Sequence, residues 1–217
     1  MMPFGFDKAR PEGLRLLLLG AHSDDIEIGC GATLLKMIDA GQVAAVRWVV
    51  FAAAGERQQE AQASADTYLA GVAEKEISIL DYQDTRLPYA APEIKAYFNE
   101  HIRSFAPDLV FTHYRDDRHQ DHRIISDLSW NTFRNHCVLE YEIPKYDGDL
   151  GIPNCYSRVA DQFAKQKVDY LMKHFASQTN KHWFDPETFL GLMRIRGLEA
   201  ASPTRYAEAF HARKLVF

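Results

Sequence analysis

Short apolar runs alternate with segments of helical periodicity along most of the chain. The apolar runs, which predict buried strands, cover 14–20, 43–53, 76–80, 108–112 and 138–143. The segments between them predict helices over 24–40, 56–69, 92–105 and 123–133. Such an alternation is typical of a mostly parallel sheet with helices on both faces. We therefore expect a Rossmann-like three-layer α/β sandwich.

The remainder of the chain predicts a helical extension. Residues 145–155 are rich in turn-forming residues and predict a loop. Two helices are predicted over 156–176 and 186–198, and the tail at 208–216 is either a final strand or an extended segment. With 217 residues and no repeat or low-complexity tract, we expect one domain over 1–217.

Composition excludes several classes of protein. The formal net charge of −5 disfavours a general nucleic-acid binder. The 3 cysteines lie far apart without a CxxC motif, which excludes a cysteine zinc finger and a thioredoxin motif and fits a reducing compartment. No signal peptide is visible, and no apolar run reaches the ~18 residues of a membrane span. We expect a soluble cytoplasmic protein with neither a membrane nor a nucleic acid as partner.

Ionisable residues follow the predicted strands. In a parallel α/β sheet, ligands bind beyond the carboxyl ends of the strands. The segment 22–27 follows the first predicted strand and 113–122 follows the fourth, and both are rich in histidine and aspartate. The sequence therefore predicts a functional site where these two segments meet.

Two histidines and one aspartate in these segments have the chemistry of a metal site. His22 and Asp25 are three residues apart at the start of a predicted helix and share a helical face. His122 would supply a third ligand from the other segment. Two histidines and one carboxylate with an open position are typical of catalytic zinc or of ferrous iron.

The neighbouring residues suggest acid–base chemistry. Asp24 lies beside a predicted ligand, where a base for an attacking water is expected. His119, with Asp121 close by, is a candidate acid and oxyanion donor. The alternative for Asp24 and Asp25 is helix capping alone. For His119 and His122 it is a purely structural role.

Four residues after the second and third predicted strands are candidates for substrate binding, although loop salt bridges and caps would look the same in sequence. They are Glu56, Arg57, Asp84 and Arg86.

Two motifs resemble those of the PIG-L/LmbE-like deacetylases. AHSDDIEIGCGATL resembles their A-H-P-D-D-E signature, and HYRDDRHQDHRIIS resembles their second signature, H-x-D-H. LDYQDTRLP, PDLVFTH and RYAEAF also fit, in the expected order along the chain. Ser23 and Gln120 stand where proline is frequent in the family, and Glu27 is displaced by one position, but none of these is a proposed catalytic group.

The resemblance implies a zinc-dependent hydrolase that removes an acyl group, usually acetyl, from an amino sugar or a similar amine. It places zinc on His22, Asp25 and His122, with Fe²⁺ as another divalent metal that this set would accept. It also makes Asp24 the general base and His119 the general acid, oriented by Asp121.

We therefore expect deacetylation of an N-acetylated amino sugar or sugar derivative, with release of acetate and a free amine. The alternatives are a hydrolase of a non-sugar acylated amine and a non-catalytic family member that binds carbohydrate. A dinucleotide oxidoreductase is disfavoured because the first turn lacks G-x-G-x-x-G. A ferrous oxygenase is disfavoured because such sites usually occur on β-barrels. The resemblance also suggests a homo-oligomer.

Overall fold

Seven strands form one sheet in the computed structural model, which describes residues 12–215. The spatial order is β3-β2-β1-β4-β5-β7-β6. The first five strands run parallel, and β7 is antiparallel to both β5 and β6. The strands are β1 (Leu14–His22), β2 (Val43–Ala52), β3 (Glu74–Ile79), β4 (Leu109–His113), β5 (Cys137–Tyr141), β6 (Cys155–Val159) and β7 (Tyr206–Ala212).

Six α-helices cover the two faces of this sheet within the described residues. They are α1 (Asp25–Asp39), α2 (Glu56–Tyr68), α3 (Ala91–Tyr97), α4 (Gln120–Thr132), α5 (Asp161–His174) and α6 (Pro186–Glu199). The predicted helix over 92–105 is in three pieces, because α3 continues as a π turn and a final 3₁₀ turn. None of these helices combines the length and the apolar character needed to span a bilayer.

The central strand β1 is buried on both faces, as its unbroken run of leucines predicts. Leu16 and Leu18 pack in the core that includes α1, α2, α5 and α6. Leu17 and Leu19 pack in the opposite core, which includes α3 and α4. All four side chains are fully buried, and each stabilises the fold by roughly 1.5–3 kcal/mol. The predicted mostly parallel α/β sandwich is thus confirmed.

The sheet order reverses between β1 and β4. The chain passes from β1 outward to β2 and β3, and then returns to place β4 on the other side of β1. In sheets of this kind the crevice at the reversal is where ligands bind. The loops after these two strands carry the two motifs.

The predicted helix over 156–176 is wrong in its first turn. Residues Cys155–Val159 form β6, and α5 begins only at Asp161. The strand pairs with β7, some fifty residues later in the chain, so its cause is a long-range contact that local periodicity does not contain. The tail is a strand at Tyr206–Ala212, and position 216 of the predicted segment lies outside the described residues.

Candidate active site

A cleft of ≈310 Å³ opens at the carboxyl ends of β1 and β4. Both sequence motifs contribute to it, and its outer wall comes from loops that follow β5 and α5. The residues that line the cleft are His22, Asp24, Asp25, Ile28, Arg57, Asp84, Thr85, His119, His122, Ile143, Lys145, Tyr146, Asp147, Gln178, Lys181 and Trp183.

Donor atoms of three residues converge on the floor of the cleft. Nδ1 of His22 lies 3.2 Å from Nε2 of His122 and 3.4 Å from Oδ2 of Asp25. Nε2 of His122 is 3.6 Å from Oδ1 of Asp25. The structure therefore brings together the three residues predicted as metal ligands. The backbone N–H of His22 also donates to Asp25 at 2.6 Å, which fixes the carboxylate at the start of α1.

His122 is held from behind by a buried aspartate. Its Nδ1 lies 2.9 Å from Oδ2 of Asp117, and Nζ of Lys145 donates to the same oxygen at 2.9 Å. Burial lowers the pKa of His122 to about 4, and the neighbouring His113 adds to the effect. Burial opposes ionisation of Asp117, but His122 and Lys145 outweigh it and hold the pKa of this carboxyl well below its usual range. His122 is thus a neutral imidazole with Nε2 directed at the cleft.

His22 lies among carboxylates. Its Nε2 is 3.1 Å from Oδ2 of Asp121 and 3.0 Å from Oδ1 of Asp84. Burial would lower the pKa of His22, but Asp25 and these two carboxylates outweigh it and raise the pKa well above its ordinary value. Asp84 is exposed, and its pKa is lowered to about 2, first by the hydrogen bond with His22.

Asp121 is buried and fixed by backbone donors. Thr85 donates its backbone N–H to Oδ2 of Asp121 at 2.7 Å, and Leu87 donates to Oδ1 at 3.1 Å. Thr85 has φ 67°, a left-handed conformation that β-branched residues rarely adopt. The residue with this strained backbone is therefore the one whose N–H holds the Asp121 carboxylate.

His119 occupies the N-cap position of α4 and contacts Asp121 differently from the prediction. Its Nδ1 accepts a hydrogen bond from the backbone N–H of Asp121 at 3.2 Å, whereas the Asp121 carboxylate contacts His22. The proton of the neutral His119 ring is therefore on Nε2. Burial lowers the pKa of His119, and the charge of His22 lowers it further.

Asp24 is buried beside the three donors and is paired with an arginine. Its Oδ1 accepts from Nη2 of Arg57 at 2.8 Å, and Nε of Arg57 donates to the Ser23 hydroxyl at 2.9 Å. Burial raises the pKa of Asp24, Arg57 opposes the rise, and the Asp25 carboxylate reinforces it. Asp24 makes no side-chain capping hydrogen bond to α1, so its carboxylate is directed into the cleft.

The four candidate substrate residues separate into two pairs. Arg57 and Asp84 line the cleft. Glu56 and Arg86 are exposed and do not line it. Glu56 begins α2, so its side chain occupies the first turn of a helix, where the helix dipole favours an acidic residue.

Sequence reasoning assigned no role to His113. Its ring stacks on that of His122 with centroids 4.0 Å apart, and its Nε2 lies 3.2 Å from Oδ2 of Asp25. The same nitrogen accepts from the backbone N–H of Ala21 at 2.9 Å. His113 is fully buried and does not line the cleft. His113 is the last residue of β4, and this position at the carboxyl end of a strand could have identified it as a site residue.

The donor atoms allow more than one set of cation ligands among the described residues. Groups with donor atoms within 4.8 Å of one another are His22/His119/His122, Asp25/His113/His122 and His22/Asp84/Asp121. Ligands at 2.0–2.1 Å in a tetrahedral zinc site lie ~3.3 Å apart. The predicted set of His22, Asp25 and His122 is none of these three groups, but it shares two residues with each of the first two. Its separations of 3.2, 3.4 and 3.6 Å are close to the tetrahedral value, the last two being measured to different carboxylate oxygens of Asp25, and all three residues line the cleft. The residues present therefore fit a zinc ion.

Comparisons with known proteins agree with this architecture. The sequence pattern of the PIG-L family, described as GlcNAc-PI de-N-acetylase, matches residues 17–133. The uncharacterized deacetylase YaiS of Escherichia coli K12 is 26% identical over 166 residues, which cover 73% of this chain and 89% of the relative.

Solved structures share the fold. N,N'-diacetylchitobiose deacetylase from Pyrococcus horikoshii superposes with a TM-score of 0.72 at 22% identity, covering 95% of this chain and 84% of the other. GalB, the 4-carboxy-2-hydroxymuconate hydratase of Pseudomonas putida KT2440, superposes with a TM-score of 0.71 at 16% identity, covering 94% of this chain and 98% of the other.

Proposed function

This chain belongs to the PIG-L family of deacetylases, and on that premise we propose that it is a zinc-dependent N-deacetylase acting on an N-acetylated amino sugar or sugar derivative. The observation that carries the proposal is the position of Asp24. Its buried carboxylate lines the same cleft as His22, Asp25 and His122. It accepts a hydrogen bond from Arg57 and is not one of the three proposed metal ligands.

The donor set of His22, Asp25 and His122 would hold the zinc ion. A zinc ion bound there would act as a Lewis acid, which lowers the pKa of water and polarises a carbonyl. The set containing His113 is less suitable because His113 is fully buried and does not face the cleft.

Asp24 is the group that accepts a proton. Burial raises the pKa of its carboxyl, which increases its basicity, while Arg57 keeps the anion positioned. Asp24 would take the proton of the attacking water as its oxygen bonds to the amide carbon. It would return that proton to the nitrogen as the C–N bond breaks, so that acetate and a free amine leave.

His119 is the group that stabilises developing negative charge. Because its Nδ1 accepts from the backbone of Asp121, its Nε2–H is available to donate to the carbonyl oxygen as that oxygen gains charge. Asp121 acts on His22 and, through its backbone, on His119. We therefore propose a positioning role for the Asp121 carboxylate in place of direct orientation of the His119 ring.

The outer wall of the cleft supports a sugar as substrate. Trp183 and Tyr146 line it, and Tyr146 is 68% exposed with its hydroxyl 3.0 Å from Nδ1 of His182. Aromatic surfaces with a few polar groups are typical of small-molecule sites. Asp147 and Lys181 of this wall, and Asp84 elsewhere in the cleft, are polar groups that would bind hydroxyls.

The test is a measurement of acetate and amine release from a panel of N-acetylated sugars, glycosides and sugar nucleotides, with N-acylated non-sugar amines beside them. We expect release from one sugar class, its loss with a chelator and its return with zinc. Asp24→Asn should retain zinc and lose most turnover, whereas the exposed Asp116→Asn should behave as wild type.

Three outcomes would overturn the proposal. Release from the non-sugar amines alone would make the protein a different amidohydrolase. Zinc binding without release from any amide would indicate a binding role. Normal turnover by Asp24→Asn would remove Asp24 as the base.

A further inference from the structure

A second cavity, of ≈360 Å³, lies beside the segment that connects β4 to α4. It shares no lining residue with the catalytic cleft. Four of its lining residues belong to the segment 115–118 and one to the first turn of α4. They are Arg115, Asp116, Asp117, Arg118 and Arg123. Three guanidinium groups thus line one cavity in a chain whose net charge is −5.

The two aspartates do not neutralise these arginines. Asp117 is occupied by His122 and Lys145, each at 2.9 Å. Asp116 lies 3.5 Å from Arg213, which is not a lining residue. Within residues 12–215, none of the three lining arginines forms an ion pair with a carboxylate. Asp149 accepts the backbone N–H of Arg118 at 2.6 Å, but its carboxylate is paired with Lys145. Among the lining residues, three guanidinium groups therefore stand beside two carboxylates that are paired elsewhere.

Two of the three arginines are held in place by neutral groups. Nη1 of Arg123 donates to the backbone carbonyl of Asp117 at 3.0 Å and also to that of Arg118. The guanidinium carbon of Arg115 lies 5.3 Å from the ring centroid of Trp130, a cation–π contact. These contacts orient the side chains without cancelling their charge.

We propose that Arg115, Arg118 and Arg123 form a binding site for a phosphate-type oxyanion. Guanidinium groups match the geometry of phosphate oxygens and bind them by paired, charge-assisted hydrogen bonds. The remaining donors of the three side chains are free to do so, since only Nη1 of Arg123 is used in hydrogen bonds within the described part of the chain.

The site adjoins the catalytic machinery through the backbone. Arg118 precedes His119, and Arg123 follows His122. The anion has two conceivable sources, a phosphoryl group carried by the substrate and a free phosphate ion, which present the same chemistry to these arginines. Steady-state kinetics with a phosphorylated and a plain sugar distinguish these sources.

The binding test does not require deacetylase activity. The ¹⁵N-labelled, zinc-loaded protein is titrated with inorganic phosphate at constant ionic strength, with chloride as the balancing anion. We expect saturable shifts of the Nε–H signals of the three arginines and of the backbone amides over 115–123. In Arg115→Gln/Arg118→Gln, the affinity should fall by about tenfold or more.

The control is Arg103→Gln, which removes one charge at an exposed arginine that lines neither cavity. It should bind phosphate as wild type does. Shifts that increase linearly without saturation, or that are equal in the double variant, would overturn the proposal. So would saturable shifts confined to the residues of the catalytic cleft.

Steady-state kinetics with N-acetylglucosamine and its 1-phosphate then identify the source. If the anion is part of the substrate, the double variant should raise KM at least about tenfold for the phosphorylated sugar and leave KM for the plain sugar unchanged. If the anion is free phosphate, both sugars should keep their KM. Both kinetic results are compatible with an oxyanion site, because they distinguish only where the anion comes from. Neither result requires the natural substrate to be a sugar nucleotide or a glycoside. A protein that binds phosphate at the arginines but hydrolyses neither sugar would retain this site and contradict the proposed function.

Discussion

Oδ2 of Asp117 lies 2.9 Å from Nδ1 of His122, while Nε2 of the same ring faces Asp25 and His22. One nitrogen of the imidazole is thus used to fix the ring, and the other is left as a donor atom in the cleft. Carboxylate partners of this kind orient a ligand histidine and raise its basicity. If the site holds zinc as proposed, its affinity for zinc should depend on a residue that does not line the cleft.

Asp117→Asn should weaken zinc binding by roughly 10–100-fold. The amide retains the size of the carboxylate, but it removes the charge that favours the required tautomer of His122. The measurement is competition for zinc with a chelator of known affinity.

The matched control is Asp116→Asn, which removes the same charge one residue earlier, where the carboxylate is exposed and pairs only with Arg213 at 3.5 Å among the described residues. It should bind zinc as wild type does. Equal weakening in both variants would mean that net charge, and not orientation of His122, determines the affinity.

Trp183→Ala should raise KM by roughly tenfold, equivalent to about 1.4 kcal/mol, with a smaller change in kcat. Trp183 lines the cleft, and within residues 12–215 it forms no hydrogen bond or ring contact with the proposed catalytic groups, so we expect it to contribute to binding of the substrate ring. Its ring also packs against Phe184 at 5.6 Å, and Trp183→Phe keeps an aromatic there in case the alanine variant loses stability. Tyr89→Ala removes a ring that is 82% exposed and outside the cleft, and should leave KM unchanged. A loss confined to kcat would contradict a binding role for Trp183.

Glu27→Gln should abolish a pH-dependent loss of stability. Glu27 is fully buried, and burial raises the pKa of its carboxyl well above 4.5. Ser64 offsets part of this rise without meeting the geometry of a hydrogen bond. The folded state therefore retains a proton that the unfolded state releases near pH 4.5. Wild type should lose up to about 1.4 kcal/mol per pH unit from that point up to the folded-state pKa, and the variant should not.

The measurement for Glu27 is urea unfolding at several pH values from about 4 to 8, with a chelator present so that metal binding does not contribute. Glu93→Gln changes an exposed glutamate on α3 and should keep the wild-type pH dependence. Parallel curves for wild type and Glu27→Gln would show that Glu27 has an ordinary pKa.

Gly29→Ala should destabilise the fold by about 1–3 kcal/mol, because a Cβ at this position would overlap the ring of Tyr141. Tyr141 cannot withdraw easily, since its hydroxyl donates to the carbonyl of Leu19 at 2.6 Å in the core. Gly191→Ala is the counterpart in α6, where no atom lies within 4 Å of the added carbon, and it should stabilise by roughly 0.5–1 kcal/mol. Thermal unfolding of both variants decides the point, and equal shifts would contradict the steric argument.

The sequence was sufficient to predict features that depend on local pattern. The leucine run of β1 predicts a strand buried on both faces, and the rule for parallel sheets brings the two motifs to one edge. Contacts between distant segments could not be predicted from the sequence. The pairing of β6 with β7, the stacking of His113 on His122 and the contact of Asp121 with His22 all join residues that sequence spacing does not relate.

The segment matched by the family pattern ends at residue 133, before the outer wall of the cleft begins at Ile143. Every proposed metal ligand and proton-transfer group lies in the matched part, and Tyr146, Lys181 and Trp183 lie beyond it. If the proposed roles hold, the reaction is encoded in the matched part of the chain, and the outer wall that we expect to select the substrate is encoded largely in the part beyond it. Exchange of 143–183 between relatives should transfer specificity while the chemistry stays the same.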